Sequence, residues 1–298
     1  MSQGAIYIIT QDPRYVGLLQ TSAQSLKRVM PDLPITVFSQ FPVESALFEK
    51  VIRVEPTSDG FYDKTQWMMG APYDRTLFID ADTYVVDAVP ELFALLEQFD
   101  CAATHEEYLS TDWFHHYPRP DIPASFPEFN TGILMLKKSE RVDRLLRDWG
   151  NLYQIFLREK PGTKTNDQPF FRAAAYGSDV RIATLTREYN CKFRGQGYLN
   201  GRVKILHGHV DFKLEPWRAQ AAEAVLNRSQ RPRVYVAGKV YDQDLVGRLV
   251  SRRKARKVGA FPELAGTVEL MKMRARRLKE IVRQRGLGST IRKVFGAG

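Results

Sequence analysis

Asp80 and Asp82 stand one residue apart, directly after the apolar run Leu77-Phe78-Ile79. Two carboxylates a few ångströms apart raise each other's pKa, and they are costly unless a cation balances them. Oxygen ligands of this kind suit Mg²⁺ or Mn²⁺, ions that usually share their shell with substrate phosphates. The chemistry this spacing points to is a metal holding a diphosphate. The same pair after a strand also serves as a turn or a helix cap.

Other polar groups sit at the ends of apolar runs. Asn130-Thr131-Gly132 precedes Ile133–Leu136, and as a structural element it reads as a tight turn, since Asn and Gly tolerate positive φ. Asn166-Asp167-Gln168-Pro169 opens a helical pattern, where Asn166 or Asp167 serves equally as a cap. His207 and His209 follow Ile205-Leu206, and a histidine there, in a chain with an Asp-x-Asp, is a metal-ligand candidate. Lys64 stands ahead of the Asp-x-Asp run, and taken alone it reads as a solvated lysine.

The elements that must hold these groups alternate. Strand patterns cover residues 5–10, 35–38, 50–54, 77–80, 101–104, 132–136, 181–183 and 203–206. Helical patterns cover 13–30, 65–69, 90–98, 141–157 and 167–176. Such alternation predicts an α/β fold with a mainly parallel central sheet. In open sheets of that class, ligands bind at the carboxyl ends of the strands, where Asp80 and Asp82 fall. Residues 105–128 form a long loop holding His105, Glu106, Trp113, His115, His116 and Tyr117. Loops of that length are usually functional, and aromatic faces with carboxylates suit a sugar ring and its hydroxyls.

In this order the residues resemble the nucleotide-sugar glycosyltransferases of the GT-A fold, and the family-8 retaining enzymes in particular. The likeness covers roughly residues 4–217. It implies a GT-A, Rossmann-like nucleotide-diphospho-sugar transferase fold and a donor, most often a UDP-sugar, bound with Mn²⁺ or Mg²⁺. By resemblance, Asp80, Asp82 and His207 are the metal ligands, with His209 in reserve. Thr10, Asp12, Tyr15, Lys64, Asp80, Ala81 and Lys213 fall at the donor-binding positions. Asn130, Asp167 and Gln168 fall at the donor sugar, with Gln168 near the anomeric carbon. The chain departs from the family where Val210 replaces a glycine three residues after His207, and where two extra residues separate Lys213 from Pro216-Trp217. Strand-Asp80-Ala81-Asp82-Thr83 also matches the nucleophile motif of haloacid-dehalogenase-type phosphatases, with Asp80 as nucleophile. That family usually opens its chain with this motif, and here some 75 residues of α/β pattern precede it. A non-catalytic sugar- or membrane-binding protein on the same fold is the third reading.

Composition narrows the partners. The chain of 298 residues carries a net charge of +10, but residues 251–298 hold 14 Lys and Arg against three Glu, so the first 250 residues sum to −1. The expected division is a catalytic domain over 1–250 and a basic helical extension over 251–298. Within the extension, Leu264, Val268, Met271, Ala275, Leu278 and Val282 recur at helical spacing among basic residues. A basic amphipathic helix suits an anionic membrane surface or a dock on the catalytic domain. Nucleic acid is not expected, because the body has no basic groove with interleaved aromatics. No apolar run is long enough to span a bilayer, and the first residues show no export signature. Two cysteines, Cys101 and Cys191, argue against a disulfide framework. The expected location is cytoplasmic, peripheral on the membrane's inner face. Acceptors would be a glycan, a lipid-linked saccharide or another hydroxyl compound.

Overall fold

The computed structural model describes residues 1–43, 46–57, 60–106, 119–163, 165–208 and 216–242. The chain divides into two units, Met1–Leu245 and Val246–Gly298, and every described residue belongs to the first.

The central sheet is built from β1 (Gln3–Ile9), β2 (Ile35–Ser39), β3 (Lys50–Arg53), β4 (Arg75–Ile79), β6 (Cys101–His105), β7 (Phe129–Lys137) and β8 (Ile182–Leu185). Their order across the sheet is β3-β2-β1-β4-β7-β6-β8. Only β7 runs against its neighbours, so the expected mainly parallel α/β sheet is what the chain forms. Strand alternation assigns the two faces. Ala5, Tyr7 and Ile9 of β1, with Leu77 and Ile79 of β4, pack with Leu19, Ala23 and Leu26 of α1 (Arg14–Val29) and with Leu92 and Phe93 of α3 (Pro90–Leu95). Ile6, Phe78, Leu134 and Leu136 face the other way. They meet Leu145 and Trp149 of α4 (Glu140–Glu159), Phe170 and Phe171 of α5 (Gln168–Tyr176) and Met68 of α2 (Gly60–Met69). Helices thus cover both faces, as a near-continuously apolar parallel strand requires.

Beside the sheet lie two smaller antiparallel pieces. β5 (Thr83–Val85) pairs with β10 (Ile205–His207). β9 (Gln196–Leu199), β11 (Arg233–Val236) and β12 (Lys239–Asp242) form a three-stranded sheet, whose core includes Leu199, Tyr235 and, from α6 (Pro216–Leu226), Ala219, Ala222 and Leu226.

Sequence periodicity missed β5, β9, β11, β12 and α6. The strands are three or four residues long, too short for alternation to stand out from chance. Helix α2 starts at Gly60, earlier than the expected 65. Asn130-Thr131-Gly132 is not a turn: all three lie within β7. The pairing of β6 with β7 slips between Ala103 and Thr104, which lets residues 131–133 bulge away from β6.

Candidate functional site

The site starts at the carboxyl end of β4. Asp80 follows that strand, and its N–H donates to the Gly132 carbonyl at 2.7 Å. The chain then turns through Ala81 and Asp82 into β5. Antiparallel pairing sets His207 opposite Thr83, one residue beyond Asp82. His207 Nε2 lies 3.4 Å from Asp82 Oδ1 and 3.9 Å from Asp80 Oδ2. One ligand atom from each of the three residues falls within 4.8 Å of the others.

Gly132 makes this convergence possible. A Cβ there would lie 2.7 Å from His207 Nε2 and 2.8 Å from Asp80 Oδ2, closer than real Cβ contacts come. The turn is braced from behind by hydroxyls. Thr83 Oγ1 donates to the Asp80 carbonyl at 2.8 Å, Ser22 Oγ lies 2.7 Å from Thr83 Oγ1, and Tyr7 Oη lies 2.9 Å from Ser22 Oγ. Because the Thr83 proton goes to a carbonyl, Ser22 donates to Thr83 and Tyr7 donates to Ser22. Burial raises the Tyr7 phenol far above its ordinary value, so it stays a donor.

Lys64 is buried rather than solvated. Its Nζ lies 3.3 Å from Asp80 Oδ1 and 3.4 Å from Asp167 Oδ2. Burial opposes its charge, but the Asp167 and Asp80 carboxylates outweigh that and raise its pKa. Asp167 does not cap α5 with its side chain. It accepts from Thr131 Oγ1 at 3.0 Å, while Asn166 Oδ1 accepts from the Gln168 N–H. Burial pushes the Asp80 carboxyl up; Lys64 pulls it back and Asp82 pushes it up again. A buried carboxylate that is raised in this way is stabilised by a cation. Two carboxylates and an imidazole nitrogen are a suitable donor set for Mn²⁺ or Mg²⁺. These residues fit a divalent metal.

Thr10, Asp12, Tyr15, Lys64, Asp80, Ala81 and Asp82 line one cavity of about 520 Å³, together with Ile8, Gln11, Phe61 and Phe78. Asp12 is held by Arg14, whose Nη2 is 2.6 Å from Oδ2, and this pairing lowers its pKa. The Tyr15 phenol is raised by burial and then by Asp82 and Asp80. Gln11 takes a left-handed φ of 68°. Its amide donates to buried Asp63 at 3.1 Å and its N–H to Gln40 Oε1 at 2.8 Å.

Asn130 and Gln168 belong to a buried polar cluster. Asn130 Nδ2 donates to Glu106 Oε2 at 2.8 Å and to Gln168 Oε1 at 3.0 Å. Gln168 Nε2 donates to Glu106 Oε2 at 3.0 Å and to Glu128 Oε1 at 3.3 Å. Lys192 Nζ lies 3.3 Å from Glu106. Burial raises the Glu128 carboxyl to about 7; Gln168 lowers it and Glu106 raises it. Glu128, Lys192, Asn190 and the close approach at Gly132 escaped the sequence reading. Glu128 and Asn130 did carry a signal, as polar residues at the head of an otherwise apolar strand. Lys213, His209, Trp113, His115, His116, Tyr117 and the extension 251–298 lie outside the described residues.

No family model matches the chain, and no curated protein does. Solved structures to which the chain is similar include the galactosyltransferase LgtC in complex with donor and acceptor sugar analogues, at 16% identity over 62% of this chain and 74% of that one, with a TM-score of 0.46. The apo form of mouse xyloside xylosyltransferase 1 is similar at 17% identity over 70% of this chain and 98% of that one, TM-score 0.48. The glycosyltransferase GlyE of Streptococcus pneumoniae TIGR4 is similar at 16% identity over 73% and 50%, TM-score 0.43.

Proposed function

We propose that this protein is a metal-dependent glycosyltransferase, moving a sugar from a nucleoside-diphosphate sugar to a hydroxyl acceptor. The observation that carries the reading is the convergence of Asp80, Asp82 and His207, the two carboxylates also lining the cavity formed with Thr10, Tyr15 and Lys64. Asp80, Asp82 and His207 would hold the metal, which when bound offsets the charge that grows on the leaving diphosphate.

The remaining work falls to the chain's own groups. The cavity between Ile8, Phe61 and Tyr15 suits a nucleoside, and UDP is the expected carrier by resemblance. Lys64 bridges Asp80 and Asp167 and keeps both carboxylates in place. By resemblance Asn130, Asp167 and Gln168 belong to the donor sugar; the side-chain amide of Asn130 is engaged with Glu106, Gln168, Gly132 and Asn190, so its part is to orient Gln168. Gln168 has its amide oriented by Asn130, Glu106 and Glu128, so it meets the sugar without reorganising. In the retaining course, the acceptor oxygen bonds to the anomeric carbon as the carbon–diphosphate bond breaks, and the acceptor proton passes to the departing phosphate oxygen. The acceptor is a glycan, a lipid-linked saccharide or another hydroxyl compound. Lys213 belongs with the diphosphate in this reading, and residues 251–298 with an anionic membrane surface on the cytoplasmic side.

A thermal-shift titration with UDP, GDP and several nucleotide sugars, each with Mn²⁺ and with EDTA, tests the reading. The expected outcome is an upward shift with one nucleotide that needs metal and is lost in Asp82→Ala. No shift with any nucleotide, together with phosphate release from small phosphoesters, would move the assignment to a phosphatase with Asp80 as nucleophile.

A further inference from the structure

Asn190 is fully buried and stands at the end of the 3₁₀ turn Arg187–Tyr189. The backbone locks it beside the candidate metal ligand: Cys191 N–H donates to the Ile205 carbonyl at 2.9 Å, and His207 N–H donates to the Cys191 carbonyl at 3.0 Å. Its side chain bridges two groups. His207 Nδ1 lies 2.9 Å from Asn190 Oδ1, and Asn190 Nδ2 lies 2.9 Å from Asn130 Oδ1.

The direction of every bond in this chain follows from its ends. Gly132 N–H can only donate, and it reaches Asn130 at 3.1 Å, so the oxygen of Asn130 must be there. The Asn130 nitrogen then faces the Glu106 carboxylate, which can only accept when ionised. Since Asn130 Oδ1 accepts, Asn190 must present its nitrogen to Asn130 and its oxygen to His207. A neutral imidazole facing that oxygen carries its proton on Nδ1, which leaves the Nε2 lone pair on the side of Asp80 and Asp82.

We infer that Asn190 is a positioning residue that sets His207 in its metal-ligating tautomer and ties it to the Asn130–Gln168 amides. The inference rests on the metal reading of Asp80, Asp82 and His207 and names the residue that couples that centre to the sugar-facing cluster. A histidine ligand oriented through its other ring nitrogen is tuned by that partner, and loss of such a partner typically costs 10- to 100-fold in metal affinity. Asn190→Ala removes both links. Asn190→Asp keeps an acceptor for His207 but sets a carboxylate against Asn130 Oδ1, breaking only the second link.

Two measurements on the full chain test this. Imidazole ¹⁵N spectra of the metal-free protein, recorded above the pH at which the ring takes a second proton, report the His207 tautomer, and electron paramagnetic resonance of free Mn²⁺ reports affinity without recourse to activity. The wild type is expected to show Nδ1–H alone. Asn190→Ala should mix the tautomers and weaken Mn²⁺ binding 10- to 100-fold. Asn190→Asp should keep the tautomer and bind Mn²⁺ within a few-fold of wild type, yet lose at least tenfold in kcat with little change in the KM for the donor. A neutral His207 ring that carries its proton on Nε2 in the folded wild type overturns the inference without any variant. So does an Asn190→Ala protein with unchanged tautomer and Mn²⁺ affinity. A wild type that holds Nδ1–H and binds no Mn²⁺ would sink the metal reading of the site while supporting the orienting role of Asn190.

Discussion

At the scale of single residues, the site is a balance of buried charge. Lys64 pairs with two carboxylates, Asp167 and the Oδ1 of Asp80, while Asp80 Oδ2 faces His207 beside Asp82. Gly132 is the steric condition for that arrangement. Gly132→Ala is expected to push His207 and Asp80 apart, weaken Mn²⁺ binding at least ~10-fold and cost about 1–3 kcal/mol of stability by overpacking. Urea unfolding and Mn²⁺ titration check both parts, and an alanine variant that binds metal like wild type would remove Gly132 from the argument. Glu128 gives a pH signature. Its carboxyl is raised from 4.5 to about 7, so the folded state holds the proton more tightly than the unfolded chain does. The stabilisation is fully present below pH 4.5 and is lost as pH rises through 7, an effect of up to roughly 3 kcal/mol. Glu128→Gln should flatten that slope in urea unfolding run from pH 4.5 to 7.5; an unchanged slope would place the titration elsewhere.

Among the elements, the pairing of β5 with β10 matters most, because it carries His207 across more than 120 residues of sequence to the Asp-x-Asp turn. The turn itself hangs from α1 and β1 through Tyr7, Ser22 and Thr83. Thr83→Val keeps the shape and removes the donor to the Asp80 carbonyl. It should cost about 1–3 kcal/mol, because a buried carbonyl and the Ser22 hydroxyl lose their partner, and it should loosen Mn²⁺ binding in parallel. Metal affinity that stays put while stability falls would separate the brace from the site. Helix α4 performs a similar service for α5: Trp149 Nε1 donates to the Asp167 carbonyl at 2.9 Å and its ring packs edge-on against Phe171. That contact sets where Asp167 and Gln168 enter the cluster.

For the whole molecule, charge is divided rather than spread. The first 250 residues sum to −1 and the last 48 to +11. Each Lys or Arg near an anionic leaflet contributes about 1 kcal/mol, screened by salt. The full chain is therefore expected to co-sediment with anionic vesicles at low ionic strength and to release as salt rises, and a chain ending at residue 250 should not bind. Equal binding of both would remove the membrane partner from the proposed function. No helix among the described residues is long and apolar enough to cross a membrane.

Sequence alone determined the α/β class, because strand and helix periods are local properties of the chain. It also singled out Asp80, Asp82, His207, Asn130, Asp167 and Gln168 as polar groups at the ends of apolar runs. Their company was decided only in three dimensions. That Lys64 is buried between Asp80 and Asp167 depends on α2, β4 and α5 converging, and no local pattern records it. Asn190 lies in an irregular segment with nothing periodic about it, and its role exists only because β10 runs beside it. Gly132 looks like a turn glycine in sequence, and it proves to be a strand glycine whose missing Cβ leaves room for His207 and Asp80. Backbone preference acts over a few residues and can be read in order, whereas close approach and shared protons arise between segments far apart in the chain and need the folded coordinates.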